Sequence, residues 1–467
     1  MLQISGTYTD LYQLTMAQVH YLNHNNQTAV FDYFFRKLPF KNGYVIFSGL
    51  ESLLEALEQF QFTTQDLDYL QQQGFDSSFI NYLKDFKFKG AIYSVQEGEL
   101  VFPTQPVLQV KASLIEAQLI ETILLNYLNF QTLIATKASR IRQVAPQSTL
   151  IDFGMRRAQA MGAYFASRAA FIGGFDTTSN VKAAADFKIP VTGTMAHAFV
   201  QSYDSELEAF QSYAQAHPQN CILLIDTYNC LKSGLPNAIK VAKSLQQQGE
   251  QLKGIRIDSG DLAYLSQQCR QQLDAEGLTE VKIAVSNQLD EYVIKSLQEQ
   301  NAPIDVYGVG TNLVIGHPDA ALDGVYKLAY ANQKPRLKLS ENIAKSTLPH
   351  QKQVYRLRDQ NQQLIGANII AKAEEQPDFN QMHHPFDLTK TMPLDQLKFE
   401  ALLQPVMLNG KRQQAPTPLV DIKRFAEQQL AELPAEYKRF TNPHLYKVGL
   451  STALLEAREK LRTTYKS

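Results

Sequence analysis

From residue 221 to residue 261 the chain reads CILLIDTYNCLKSGLPNAIKVAKSLQQQGEQLKGIRIDSGD. Two near-continuous apolar runs bracket a segment whose apolar residues recur three and four apart. Strands without polar alternation are buried on both faces, and a helix between two of them makes their pairing parallel. The same alternation extends outward. TLIDFG (149–154), AAFIGGFD (169–176) and IPVTGT (189–194) precede it; VKIAVSN (281–287), APIDVYGVGTN (302–312) and GVYKLAY (324–330) follow. Eight such runs over roughly 180 residues predict an α/β fold built on an irregular (β/α) barrel. An open doubly wound sheet is the alternative, although no GxGxxG follows a strand.

The flanks read differently. TDLYQLTMAQVHYL (9–22) is helical with Thr9 or Asp10 as cap, TAVFDYFFRKL has strand composition, and GLESLLEALEQF is helical. GELVFPTQPVLQV reads as a hairpin around Pro103 and Pro106. A long helical region, 114–145, leads into the barrel; KPRLKLS, QVYRLRD and QLIGANIIAK are strands, and 416–467 is mainly helical and charged. The expected organisation is an α+β flank (1–145), a barrel carrying the site (146–335), and a C-terminal part (336–467) that completes a second α+β domain.

Lys+Arg 45 against Asp+Glu 46 leaves a net charge of -1, so no basic excess exists to neutralise nucleic acid or an anionic membrane. Three cysteines without CxxC spacing fit reduced thiols in a cytoplasm, and MLQISGTYTD lacks the features of a signal peptide. The most apolar uncharged run, TILLNYLNFQTLIAT (122–136), is too short for a bilayer.

Parallel barrels place their sites at the strand C-termini. Those ends read Asp152-Phe-Gly-Met-Arg156-Arg157, GGFDTTSN, Gly193-Thr194-Met-Ala-His197, Asp226-Thr-Tyr-Asn229, Arg256-Ile-Asp258-Ser-Gly-Asp261, Ser286-Asn287-Gln-Leu-Asp290 and Gly308-Val-Gly310-Thr311-Asn312. Thr194 is placed as cap of a helix beginning near Met195. Arg156, Arg157 and Arg256 are planar cations suited to phosphate and carboxylate. GGFDTTSN and GVGTN offer relaxed backbone N–H groups for phosphate. Asp226, Asp258 and Asp261 suit ribose hydroxyls or Mg²⁺ bound through water. A polyphosphorylated sugar with Mg²⁺ is the implied ligand.

LYQLTMA (11–17), DFGMRRAQ (152–159), GGFDTTSNV (173–181), GTMAHAFV (193–200), RIDSGDL (256–262) and GVGTNL (308–313), with KLSENIAKSTLP (338–349) in register, together resemble nicotinate phosphoribosyltransferase in its long form, a type II phosphoribosyltransferase. The resemblance implies that nicotinate and phosphoribosyl pyrophosphate give nicotinate mononucleotide and pyrophosphate, coupled to ATP hydrolysis, as the first step of NAD biosynthesis from nicotinate. It implies a two-domain, barrel-containing dimer with shared active sites. The transiently phosphorylated histidine falls on His197. Nicotinate contacts fall on Tyr12, Thr194 and Arg256, with Tyr12 reaching the neighbouring subunit's site. The phosphoribosyl pyrophosphate contact falls on Thr311, with Gly310 beside it. Arg156 and Arg157 are candidates for the departing pyrophosphate, and Asp258 and Asn287 for ribose hydroxyls or metal-bound water; no metal ligand set is assigned. The last hundred or so residues carry no functional expectation.

A phosphorylatable histidine needs a partner that fixes its tautomer, and Asp226 or Asp258 could supply it. Tyr12 could instead be a core position beside Leu11 and Leu14. His20 and His24 lack the Glu of HExxH, and the adjacent His383 and His384 suit a loop. Rival readings are a phosphoribosyltransferase for nicotinamide or quinolinate, and a barrel that binds nucleotides without catalysis.

Overall fold

The computed structural model describes residues 4–340 and 346–466, so part of KLSENIAKSTLP lies outside the described residues. The chain divides into two compact units, one made of 134–320 and the other of both flanks, 1–133 and 321–467. An α/β unit with a parallel sheet and a flank-built unit with mainly antiparallel sheets is thus the architecture observed.

In the 134–320 unit six parallel strands run in the order Thr177–Thr178, Thr149–Asp152, Val306–Val309, Lys282–Ser286, Gly254–Ile257, Ile222–Leu224. Ile255 pairs with both Leu223 and Ile283. Leu223, Ile255, Ile257, Ile283 and Val309 are completely buried, as two-sided strands require. Helix Leu235–Gln247 buries Leu235, Ala238, Val241, Ala242 and Leu245, one face at 3.6-residue spacing.

Five of the eight expected runs form strands of this sheet, IPVTGT keeps only a single bridge from Val191 to Thr178, and the sixth strand, Thr177–Thr178, lies just beyond the run 169–176. Ala169–Ile172 finish helix Ala160–Ile172 instead of forming a strand. Alanine is a strong helix former, and buried Ala163, Ala166, Ala169 and Ala170 carry helical spacing into that run. GVYKLAY leaves the barrel: strand Gly324–Ala331 pairs antiparallel with Thr28–Phe35. Among the described residues no ladder joins Val191 to Ile222–Leu224, and that side is linked by side chains. Arg256 Nη1 donates to Thr194 Oγ1 at 2.5 Å, and His197 Nδ1 lies 3.1 Å from Thr227 Oγ1.

The expected boundaries at 145/146 and 335/336 shift accordingly to 133/134, inside helix Glu121–Val144, and 320/321. Gly173 explains the first shift. A Cβ there would lie 2.3 Å from the Ala135 carbonyl oxygen and 2.5 Å from Ala138 Cβ, so this helix segment is seated on the barrel.

The flank unit holds a seven-stranded sheet around Thr28–Phe35 and Leu108–Ser113, and a six-stranded sheet around Lys352–Arg358 and Leu364–Lys372. The expected hairpin at Pro103 and Pro106 does not form. Leu100–Val101 pairs with Val45–Ile46, whereas Leu108–Ser113 pairs with Thr28–Phe35 and Ala91–Ser94. Two prolines without N–H donors interrupt the ladder between them. Among the described residues no helix is long and apolar enough to cross a membrane.

Candidate active site

The barrel's strand ends enclose a cavity of about 450 Å³, a size typical of small-molecule sites. Arg156, Arg157, Thr194, Arg256, Asp258, Asn287, Gly310 and Thr311 all line it. Of the barrel residues expected to face the ligand, His197, which stands next to Asp258, and the carboxylates Asp226 and Asp261 do not line it. Tyr12 belongs to the other unit and does not line this cavity.

Arg256 is the best-defined group. Its Nη1 donates to Thr194 Oγ1, its guanidinium carbon stands 5.8 Å from the centre of the Phe153 ring, and its buried Nε has no hydrogen-bond partner. Burial lowers its pKa from the ordinary value, offset by nearby Asp258 and Asp226. An unsatisfied buried guanidinium N–H is costly unless a ligand supplies the acceptor. Thr194 is not a helix cap: helix His197–Gln201 has Ala196 at its N-cap without a side-chain bond. The Thr194 hydroxyl is spent on Arg256 instead.

His197 has its Nδ1 3.1 Å from Thr227 Oγ1, and its Nε2 lies 3.8 Å from Asp258 Oδ2. Of the two candidate carboxylates, Asp258 therefore faces the imidazole. Asp226 is turned to the backbone, accepting from Asp258 N at 2.8 Å and Ser259 Oγ at 2.6 Å. Its Oδ1 is buried without a partner. Ser286 donates to Asp258 Oδ1 and holds that carboxylate in place.

Several polar strand ends prove structural. Asp261 caps its helix by accepting from Tyr264 N at 3.1 Å and does not line the cavity. Asp152 accepts from Ser167, Thr178 and the Gly154 N–H, and burial raises its pKa. In GGFDTTSN only Ser179 reaches the cavity. Asp176 pairs with Arg142, Asn180 caps a helix, and Gly174, at φ 108°, packs against Arg142. The expected phosphate role of that loop is thus replaced by close packing.

Phe153 and Gln288, given no role by the sequence, line the cavity, as does Ser286, one of the expected polar strand ends. The signal for Phe153 was its place after the end of strand Thr149–Asp152, one residue before the Gly154 turn. Gly308 accommodates it, because a Cβ at 308 would lie 2.4 Å from the Phe153 ring.

Tyr12 lies on helix Leu11–Leu22 and is 50% exposed, with Leu11 at 63%, which removes the core-position reading. Burial, followed by Glu121 and Asp10, raises its pKa. His20 Nδ1 lies 3.3 Å from Asn25 Nδ2, and no cluster of three metal-ligating side chains occurs among the described residues.

Comparison with known proteins matches this architecture along the chain. Sequence models of the nicotinate phosphoribosyltransferase N-terminal domain, family and C-terminal domain match residues 7–129, 148–367 and 351–458. The Bacillus subtilis nicotinate phosphoribosyltransferase is 44% identical over 456 residues, covering 95% of this chain and 92% of its own. The crystal structure of human nicotinic acid phosphoribosyltransferase superposes with a TM-score of 0.87 at 30% identity, covering 97% of this chain and 99% of that one. Nicotinate-nucleotide pyrophosphorylase from Pyrococcus furiosus, at 24% identity and a TM-score of 0.72 over 91% of this chain and 95% of that one, shares the fold. The C-terminal match extends the relationship into the last hundred residues, where the sequence alone carried no expectation. On the family models and these identities, the chain belongs to the nicotinate phosphoribosyltransferase family.

Proposed function

We propose that this protein joins nicotinate to phosphoribosyl pyrophosphate, giving nicotinate mononucleotide and pyrophosphate, as the entry of nicotinate into NAD biosynthesis. The observation that carries the reading is Arg256, a half-buried guanidinium whose buried Nε–H is unpaired, beside an aromatic face in a ligand-sized cavity. A pyridine carboxylate supplies the acceptor that Arg256 lacks, and Phe153 offers a flat apolar surface to the ring. A neutral amide would leave the arginine charge unpaired.

In the reaction the pyridine nitrogen forms a bond to the ribose anomeric carbon while the bond to pyrophosphate breaks. Charge placement governs such an oxocarbenium-like step. Arg156 and Arg157 receive the departing pyrophosphate, Gly310 and Thr311 hold phosphate, and Asp258 and Asn287 hold ribose hydroxyls. Asp226 and Asp258 fit Mg²⁺, because the partnerless buried Oδ1 of Asp226 is a hard oxygen donor and Mg²⁺ binds through one or two carboxylates with substrate phosphates. When bound, the ion would neutralise charge on the phosphates.

ATP is the further co-substrate. With Nδ1–H donating to Thr227, the Nε2 lone pair of His197 is the nucleophile: it takes the γ-phosphoryl group, ADP leaves, and water later releases phosphate. Three free cysteines fit a reducing cytoplasm.

The active form is a homodimer with shared sites. Leu11, Tyr12, Met16, Val19 and Leu22 form an exposed apolar face on one helix, opposite buried Gln13, Leu14 and Ala17. A second copy covers that face and receives Tyr12 at its cavity. Hybrid dimers test both halves of the reading. Tyr12→Ala and Arg256→Gln homodimers are each expected to release pyrophosphate slowly from nicotinate and phosphoribosyl pyrophosphate. Mixed dimers, confirmed by mass, regain one intact site of two and so up to about half the parent rate per dimer. No recovery in confirmed hybrids would refute the shared site.

A further inference from the structure

The turn after strand Lys282–Ser286 has a backbone that needs support. Asn287 and Gln288 both line the cavity, yet stand at φ 84° and 50°. Consecutive left-handed residues with side chains persist only where their surroundings impose them. Asn312 Nδ2 donates to the carbonyls of Gln288 at 3.4 Å and Leu289 at 3.2 Å, and Asp290 caps the next helix through the N–H groups of Tyr292 and Val293.

The third restraint is Glu291, the first residue of helix Glu291–Glu299. Its carboxylate is buried between Lys137 Nζ and Arg140 Nε, the latter at 2.8 Å, both on helix Glu121–Val144. Arg140 Nη2 also donates to Tyr292 Oη at 3.2 Å. None of the three charged residues lines the cavity. A buried ion triad is a poor source of net stability, because desolvation offsets the attraction; its better-attested use is to select one arrangement.

We propose that Glu291, clamped by Lys137 and Arg140, is a positioning residue for phosphoribosyl pyrophosphate: it holds the Asn287–Gln288 turn in its left-handed form and so keeps Asn287 at the cavity wall. This rests on the assignment of the cavity to nicotinate and phosphoribosyl pyrophosphate.

Two variants test it. Glu291→Gln preserves size and removes the charge, while Lys137→Met leaves a charge-balanced Arg140–Glu291 pair and is the variant expected to fold in any case. KM for phosphoribosyl pyrophosphate should rise about tenfold in Glu291→Gln and about threefold in Lys137→Met, with KM for nicotinate within about twofold. Amide exchange should speed up over 286–291. Gln288→Gly removes the side-chain cost of left-handed backbone. Added to Glu291→Gln, or to Lys137→Met if the former does not fold, it should recover most of the lost KM, a rescue that a purely structural role would not give. Unchanged KM for phosphoribosyl pyrophosphate in Lys137→Met, or no rescue by Gln288→Gly, overturns the proposal. A parent protein inactive with nicotinate and phosphoribosyl pyrophosphate would instead strike the assignment of the cavity, and unchanged exchange over 286–291 in Lys137→Met would still overturn the clamp.

Discussion

Arg256→Gln is expected to lower kcat/KM for nicotinate by about thirty- to five-thousand-fold, because losing a desolvated, charged hydrogen bond costs roughly 2–5 kcal/mol. Phosphoribosyl pyrophosphate affinity should stay near the parent value, since Arg156, Arg157, Gly310 and Thr311 lie on other strand ends. Glutamine retains a donor for Thr194 but carries no charge for a carboxylate. Its discrimination between nicotinate and nicotinamide should collapse, as no guanidinium is left unpaired by the amide. The check is steady-state kinetics with both bases. Parent-like use of nicotinate by the variant would show that another group binds the ring carboxylate.

His197→Asn is expected to remove the protein's ATPase activity and its response to ATP while leaving slow formation of nicotinate mononucleotide. Asparagine has similar reach and can still bond Thr227, but it cannot form a phosphoramidate. After incubation with γ-labelled ATP the parent should carry acid-labile, base-stable label, and the variant none. Equal labelling would move the nucleophile elsewhere. Unchanged ATP stimulation would make His197 a packed residue held by Thr227.

The two results probe neighbouring groups whose arrangement was unequally visible in the sequence. That polar residues gather at one end of a parallel sheet follows from strand polarity, so Arg156, Arg256, Asp258 and Thr311 could be found from apolar runs and what ends them. Their partners could not. Thr194 precedes a helix and suits a cap, yet its hydroxyl serves Arg256, a residue brought beside it only by the tertiary fold. The choice between Asp226 and Asp258 depended on which carboxylate the backbone claims, and Asp258 N claims Asp226. GGFDTTSN looked like a phosphate loop because tight packing on Ala135 and Arg142 calls for the same glycines. GVYKLAY has the composition of a barrel strand; its antiparallel pairing with Thr28–Phe35 is set by a partner nearly three hundred residues away. Phe153 has no distinctive sequence signature as a lining residue, because an aromatic beside a strand end is ordinarily core.

The most direct measurement is pyrophosphate release by the purified parent protein with phosphoribosyl pyrophosphate, Mg²⁺ and ATP, offered nicotinate, nicotinamide or quinolinate in parallel. The expected result is release with nicotinate, at a kcat/KM at least about a hundredfold above that for either other base, because the amide leaves Arg256 unpaired and the other cavity arginines, Arg156 and Arg157, are taken up by pyrophosphate rather than by a second ring carboxylate. Release favouring nicotinamide or quinolinate, or none with any base, would contradict a nicotinate site built on Arg256.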